Sequence, residues 1–163
     1  MGGMRMTGYL QKSGSADCVV IIPIYHPDWK WNECLRMLKK QEDVCFDVYI
    51  INSGSDYRTY EKDLFGLSYR IVKTTPERFN HGRTRQEAAE DCAGYPFLVY
   101  MTQDAKLADE YTIRNLLDAF DDPKVGCAYG RQLPHKDATV LAARARAFNY
   151  PSESRVKKLE DAS

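Results

Sequence analysis

The sequence predicts an α/β fold of three layers, in which helices cover both faces of a mostly parallel central sheet. Two observations lead to this prediction. Short apolar runs alternate along the chain with segments of helical periodicity, and the main apolar runs end abruptly in polar clusters. The 163 residues, 44% of them apolar, are enough for one hydrophobic core. We expect a flexible lead-in at residues 1–16, one domain at 17–150 and a tail at 151–163.

Charge and composition exclude several classes of partner. Basic and acidic residues both number 23, so no net field attracts nucleic acid or an acidic membrane. No apolar run reaches the ~18 residues that a membrane span requires. The five cysteines lack CxxC spacing, which indicates reduced thiols and neither a disulfide framework nor a zinc site. We therefore expect a cytoplasmic protein, and peripheral attachment to the inner face of a membrane stays open.

The first strand and helix are indicated by two patterns near the N-terminus. Residues 18–25 (CVVIIPIY) form a continuous apolar run, typical of a buried parallel strand. Pro23 must lie at the end of this strand because proline has no N–H to donate. Asp28 can cap the helix that follows. The apolar positions of that helix recur at helical spacing and are Trp31, Cys34, Leu35 and Leu38.

Two more strands are predicted in the next part of the chain. Residues 46–51 (FDVYII) run into residues 52–56 (NSGSD), a loop of small polar side chains. Such a loop can cup a base or ribose, or it can only turn the chain, and its composition favours the turn. Residues 69–72 indicate a third, more exposed strand. A short helix between these strands is suggested by Tyr57, Tyr60 and Leu64.

A glycine turn within residues 79–89 (FNHGRTRQEAA) opens the next helix. Arg83 and Arg85 lie in its first turn, where a positive charge opposes the helix dipole at a cost of up to about 1 kcal/mol each. Two interpretations stay open. The arginines bind an anionic partner, or they pair with acidic side chains of the same helix.

The strand predicted at residues 97–101 (FLVYM) runs into Gln103 and Asp104. Ligands of open α/β sheets bind beyond the carboxyl ends of the strands. Asp104 can cap a following helix, or it can hold a divalent metal that bridges to substrate phosphates. The second use is chemically apt because Mg²⁺ prefers one or two carboxylates together with phosphate oxygens.

The last third of the chain continues the alternation of strands and helices. Asp109 is predicted to cap a helix, and residues 125–129 (VGCAY) to form a fifth strand that leads into polar groups at 130–135. The two helices predicted here have apolar positions at Ile113, Leu116, Leu117 and Phe120, and at Ala138, Leu141, Ala142, Ala145 and Phe148. The loops after four of the predicted strands converge on one sheet edge, which predicts a site there.

Several common site motifs do not occur in the sequence. Walker A, GxGxxG and GxSxG are missing, so a phosphate-binding loop of those classes and a hydrolase elbow are excluded. The histidines at positions 26, 81 and 135 lie in predicted loops. We disfavour a three-histidine metal site because scattered loop histidines are commonly solvated or bonded to backbone.

Six short motifs follow one another along the chain: VVIIPIY, INSGSD, FNHGRTR, TQDA, VGCAYGRQLPH and FNYP. Each is weak alone, but their order and spacing resemble the nucleotide-binding half of the family 2 inverting glycosyltransferases. The resemblance covers residues 18 to about 158 and is greatest to the bacterial rhamnosyltransferase-type branch. It implies a GT-A-type, Rossmann-like αβα domain, truncated in this chain, that binds a nucleotide-diphosphate sugar.

The resemblance also implies roles for individual residues. Nucleotide binding is implied for Pro23, Tyr25, Asn52, Ser53, Arg85 and Gln103, and sugar binding for Gln86, Arg131 and Gln132. Asp104 falls on the family's metal motif and would hold Mg²⁺ or Mn²⁺. Asn52 and Ser53 stand where the family usually has acidic residues, and Gln103 replaces one acid of the metal motif. We therefore expect weak metal binding without the nucleotide.

The implied reaction transfers a sugar from a UDP- or dTDP-sugar, with dTDP-rhamnose as one candidate, to a saccharide or lipid-linked saccharide acceptor in bacterial surface polysaccharide synthesis. An inverting enzyme also needs a general base. In the family this carboxylate lies in a region that this chain does not contain. We expect a fragment without its acceptor half, which binds nucleotide and metal but transfers sugar poorly or not at all. Exposed apolar surface on such a fragment would favour a homodimer.

Two alternatives stay open at this point. A non-catalytic nucleotide-sugar-binding module or assembly subunit would equally explain the missing base. A nucleotidyltransferase with a related sheet predicts a glycine-rich, lysine-bearing loop after the first strand, and Tyr25, His26 and Pro27 supply neither residue.

Overall fold

The computed structural model describes residues 5–7, 16–56, 66–134, 138–158 and 160. A five-stranded sheet has the order β1-β4-β3-β2-β5. Its strands are β1 Arg5–Thr7, β2 Cys18–Ile24, β3 Phe46–Asn52, β4 Tyr69–Lys73 and β5 Phe97–Tyr100. β2, β3, β4 and β5 are parallel, whereas β1 pairs antiparallel with β4. The predicted, mostly parallel sheet is confirmed, and β1, within the expected lead-in, was not predicted.

Helices lie on both faces of the sheet, as predicted. They are α1 Trp29–Lys39, α2 His81–Asp91, α3 Thr112–Asp118 and α4 Val140–Asn149, and a 3₁₀ turn, Ala119–Asp121, follows α3. In β2, Val20 and Ile22 pack into the same core cluster as residues of α1 and α3. Val19 and Ile21 point the other way and pack with residues of α2. The alternation of side chains along β2 therefore produces two cores, one on each face of the sheet.

The predicted start of α1 is confirmed. The Asp28 side chain accepts a hydrogen bond from Lys30 N at 2.9 Å, and the predicted apolar positions of this helix are its buried residues. Pro23 lies inside β2, opposite Ile51, and is its second-last residue. This position suits a residue that cannot donate to the ladder, because only one more strand residue follows.

The predicted cap of α3 is wrong. Tyr111 occupies the N-cap position of α3, and Asp109 lies two residues before it. The Asp109 carboxylate accepts hydrogen bonds from Tyr111 N and the Thr112 hydroxyl, both at 3.0 Å. These bonds make a turn ahead of the helix, because an aspartate side chain readily bonds to backbone two residues on.

The fifth strand predicted at residues 125–129 is not formed. A Cβ placed on Gly126 would meet no atom within 4 Å, and Tyr129 is 62% exposed. The run holds only one β-branched residue, Val125, and its glycine has no side chain to pack. The apolar surface that a strand here would bury is therefore too small to offset the conformational entropy lost on forming it.

α4 forms where the sequence predicts it but has no buried residue. Its large apolar side chains are exposed by 71% at Val140, 79% at Leu141 and 88% at Phe148. The amphipathic stripe predicted for this helix therefore faces away from both cores. No helix in the described ranges is long and apolar enough to cross a bilayer. The helix suggested by Tyr57, Tyr60 and Leu64, and also His135, lie outside the described residues.

Buried polar side chains attach α2 and the loop after it to the sheet. The Tyr49 hydroxyl donates to the Asp91 carboxylate, and the Tyr95 hydroxyl donates to Asp47 Oδ2 at 2.6 Å. The Arg70 guanidinium lies 5.5 Å from the centre of the Tyr49 ring. Burial, together with the neighbouring carboxylates, raises the pKa of Tyr49 and of Tyr95. Both phenols therefore remain protonated donors at neutral pH.

The five cysteines are free thiols. Burial raises the pKa of Cys18 and Cys34 to about 12 and that of Cys92 to about 11. These three thiols are inert parts of the core, since the reactive form of cysteine is the thiolate. Cys45 and Cys127 are exposed.

Candidate functional site

The loops after β2, β3 and β5 meet at the carboxyl edge of the sheet. β2 pairs with β3 on one side and with β5 on the other, in parallel register. The three strands therefore end side by side, which is where open α/β sheets hold their ligands. The predicted convergence of these polar loops is confirmed, whereas the loop after residues 125–129 follows no strand.

The loop after β3 is held by its own side chains. Asn52, 2% exposed, donates from Nδ2 to Ser55 O at 2.9 Å and accepts at Oδ1 from Ser55 N at 2.8 Å. Ser53 donates to Ile24 O both from its amide, at 3.0 Å, and from its hydroxyl, at 2.8 Å. The polar atoms of both side chains are thus bonded to backbone, which makes them shape the loop. Their contact with a nucleotide stays a prediction.

Gly54 is required at the tip of this loop. Its φ of 106° lies in the region that favours glycine, and a Cβ there would approach Pro76 Cδ to 2.9 Å. An open depression lies beside it at the ends of β3 and β4. It is lined by Asn52, Gly54, Ser55, Asp56, Lys73 and Thr74. The depression offers amide, hydroxyl and charged groups to a polar ligand.

The loop after β2 is bonded to the loop after β3. His26, at φ 42°, donates from its backbone N–H to Ser55 Oγ at 2.6 Å. Sequence analysis missed this role of His26 and Ser55. The NSGSD composition was the available signal, since serine hydroxyls in turns commonly bond to nearby backbone. Next to His26, the Tyr25 side chain is 51% exposed at the edge of the site.

Gln103 connects the turn after β5 with the loop after β2. Its Oε1 accepts from Tyr25 N at 2.7 Å, and its Nε2 donates to Tyr25 O at 3.0 Å. Both polar atoms of the Gln103 side chain are therefore bonded to the backbone of a single residue.

Asp104 is exposed in the same turn. Its carboxylate has no hydrogen bond or ion pair with the residues that the structure describes. It lies close enough to α1 to raise the pKa of Cys34, as a smaller contribution than burial. No group of three or more His, Cys, Asp or Glu side chains in the described ranges could hold a metal by itself. A single free carboxylate fits Mg²⁺ or Mn²⁺ that is completed by phosphate oxygens and water.

The side chains of Arg85 and Gln86 make their hydrogen bonds within α2. Arg85 Nη1 donates to His81 O at 3.1 Å and lies 3.2 Å from His81 Nδ1, while Gln86 donates to Glu90 at 3.0 Å. The hydroxyl of Tyr100, the last residue of β5, donates to Arg85 O at 3.0 Å. This bond holds α2 beside the end of β5. Contact of Arg85 and Gln86 with a sugar nucleotide stays a prediction.

Arg131 and Gln132 are bonded to α4 and its C-terminal end. Arg131 Nε donates to Tyr150 O at 3.2 Å, and Arg146 donates to Gln132 Oε1. These two bonds connect the side chains with α4 and not with the loops after β2, β3 and β5. The predicted role of Arg131 and Gln132 in sugar binding is not tested by these contacts.

Comparison with known sequences shows the family of the chain. A sequence profile for Glycosyl transferase family 2 matches residues 19–162. The chain is 40% identical over 144 residues to an O-antigen chain rhamnosyltransferase, RfbN, of Salmonella typhimurium, and 35% identical over 145 residues to another, WbaN, of Salmonella anatum. Each match covers 87% of this chain and 45% of the relative. The chain thus spans about half the length of the curated relatives it matches.

Solved structures show the same fold. Residues 1–349 of TarS from S. aureus match with a TM-score of 0.56 at 22% identity, over 78% of this chain and 43% of that one. The mannosyltransferase PcManGT of Pyrobaculum calidifontis, in complex with GDP-Man and Mn²⁺, also matches with a TM-score of 0.56, at 21% identity, over 68% of this chain and 34% of that one. The expected α/β fold of GT-A type is confirmed.

Proposed function

The chain belongs to glycosyl transferase family 2, and on this basis we propose that it is the donor-binding part of an inverting glycosyltransferase of bacterial surface polysaccharide synthesis. The observation that carries this proposal is the carboxylate of Asp104, which has no hydrogen bond or ion pair among the described residues and is exposed in the turn beside the loop after β2. The donor is a UDP- or dTDP-sugar. The names of the two rhamnosyltransferase relatives support dTDP-rhamnose, and a saccharide or lipid-linked saccharide is the acceptor.

The site would bind the diphosphate and the nucleobase of the donor. A divalent cation, when bound, neutralises the negative charge that grows on the leaving diphosphate. Asp104 would hold that cation. The exposed Tyr25 ring and the depression beside Gly54 receive the nucleoside, and Arg85 lies on the helix beside β5 to receive negative charge. We assign no residue of this chain as the general base. Sugar transfer by this chain alone is expected to be slow or undetectable. The protein would act in the cytoplasm.

Titration calorimetry of the full chain with UDP and with dTDP, with and without Mn²⁺, tests the proposed donor site. We expect binding that is about tenfold or more tighter with Mn²⁺, because the diphosphate supplies the ligands that one carboxylate cannot. UMP is the matched control. It lacks the second phosphate and should gain little from Mn²⁺. Absence of heat with both UDP and dTDP would contradict the proposed donor site. Sugar transfer by this chain alone would contradict the expectation that it lacks the catalytic general base.

A second candidate is a nucleotide-sugar-binding subunit that acts in an assembly. The exposed apolar side chains of α4 favour it, because large exposed apolar patches commonly mark interaction surfaces. We expect self-association at micromolar concentration in light scattering. The double substitution Leu141→Ser with Phe148→Ser should restore a monomer, because it removes apolar surface without touching either core. A wild-type chain that stays monomeric at all concentrations would contradict this second candidate.

A further inference from the structure

The two hydrogen bonds between Gln103 and Tyr25 join parts of the chain that are 78 residues apart. Their lengths, 2.7 and 3.0 Å, are those of good hydrogen bonds. Tyr25 begins the loop after β2, and Gln103 precedes Asp104 in the turn after β5. The bonds therefore connect the residue proposed to hold the metal with the loop proposed to receive the nucleoside.

This connection continues across a third loop. Ser53 of the loop after β3 donates to Ile24 O, and Ser55 Oγ accepts from His26 N. Ile24 and His26 flank Tyr25, so the residue that Gln103 holds is fixed from both sides. Hydrogen bonds thus run without a break from the loop after β3, through the loop after β2, to the turn that carries Asp104.

The chemistry of the Gln103 side chain suits this connection. An amide donates and accepts at the same time, which the N–H and C=O of one backbone residue require. A carboxylate only accepts, so it would place negative charge against Tyr25 O. Both polar atoms of Gln103 are bonded to the backbone of Tyr25, which fixes the orientation of the amide.

We propose that Gln103 is a positioning residue, which holds the Asp104 turn and the Tyr25 loop at the separation that a metal-bound nucleotide diphosphate requires. This inference rests on the proposed donor site. It differs from the role first expected of Gln103, because the side chain acts on the nucleotide through Tyr25 and Asp104. The positioning role also explains why an amide and not a carboxylate stands next to Asp104, without the assumption that Gln103 is a weakened metal ligand.

The substitution Gln103→Glu tests the proposal. At pH 7.5 the ionised carboxylate can still accept from Tyr25 N but loses the bond to Tyr25 O, and we expect affinity for the nucleotide diphosphate with Mn²⁺ to fall about tenfold below wild type.

Gln41→Glu is the matched control. Gln41 makes the same kind of two-way connection, donating to Asp109 O at 2.7 Å and accepting from Ile113 N at 2.9 Å. It lies just after the C-terminal end of α1, at the other end of that helix from the loop after β2. Loss of this connection in Gln41→Glu should lower the free energy of unfolding, as is expected for Gln103→Glu. Nucleotide affinity should nevertheless stay within twofold of wild type at pH 7.5.

Two results would overturn the proposal. If Gln103→Glu bound Mn²⁺ and nucleotide more tightly than wild type at pH 7.5, the position would belong to the metal's ligands, since an added acid strengthens a metal site. Equal affinity of wild type and variant at pH 7.5 would show that the connection does not position the site.

Amide hydrogen exchange at Tyr25 separates this inference from the proposed function. We expect the Tyr25 amide to be protected in wild type and to exchange about tenfold or more faster in Gln103→Glu at pH 7.5, without any nucleotide present. Unprotected exchange in wild type would disprove the connection. If the wild-type chain bound neither UDP nor dTDP, the proposed donor site would be wrong. The positioning role of Gln103 would then be wrong as well, even if the Tyr25 amide were protected from exchange.

Discussion

Replacement of Asp104 by Asn is expected to remove the Mn²⁺-dependent part of nucleotide binding. Asparagine keeps the volume of the side chain and one acceptor oxygen but loses the negative charge. Because no cluster of metal-binding side chains in the described ranges can substitute for it, the affinity for UDP or dTDP with Mn²⁺ should fall by about tenfold or more, on the order of 1.4 kcal/mol. Calorimetric titration with and without Mn²⁺ measures this effect.

Asp121→Asn is the control for Asp104→Asn. Asp121 is an exposed acid of the 3₁₀ turn after α3, so its replacement removes the same formal charge away from the proposed site. We expect its affinity to stay within about twofold of wild type, since an isolated surface charge is well screened. An Asp104→Asn variant that retained the full gain from Mn²⁺ would show that the metal is held elsewhere.

Replacement of Trp31 by Ala is expected to have the largest effect on stability. Trp31 is 1% exposed in the core between α1 and the sheet, where it is among the largest fully buried side chains. Its truncation should lower the free energy of unfolding by about 3–5 kcal/mol, because the loss of apolar contacts is joined by the cost of a cavity. This is a large part of the ~5–15 kcal/mol that stabilises an ordinary domain. Urea denaturation followed by circular dichroism measures the change.

Trp29→Ala is the matched control, since both tryptophans belong to α1. Trp29 is 68% exposed, and its truncation should change the free energy of unfolding by less than about 0.5 kcal/mol. Similar losses from the two variants would contradict the burial that distinguishes them.

Much of the fold could be predicted because its signals are local. The spacing of Trp31, Cys34, Leu35 and Leu38 predicts the buried face of α1 without knowledge of what covers it. The continuous apolar run of β2 similarly predicts a strand that is buried on both faces. Residues 125–129 carry the same kind of signal in a weaker form. There the prediction was wrong because a short apolar run becomes a strand only where a neighbour pairs with it.

The candidate site was predictable in its location but less so in its contacts. Parallel strands end at one edge, so the polar residues after β2, β3 and β5 had to come together there. The resemblance implied that Asn52 and Ser53 contact a nucleotide, which stays a prediction, and the structure adds that their polar atoms are bonded to Ser55 and Ile24. Backbone groups at a strand end need partners, and sequence composition does not reveal which side chain supplies them.

The amino-acid sequence alone was enough to predict strands β2 to β5, helices α1 to α4, their place on both faces of the sheet and the resemblance to glycosyltransferases, since hydrophobic periodicity and motif order are properties of neighbouring residues. Tertiary structure alone decided that the amide of Gln103 belongs to the backbone of Tyr25 and that the carboxylate of Asp104 stays free among the described residues. The physical reason is the strand order. It places β5 beside β2 and so brings together groups that no local pattern could have paired.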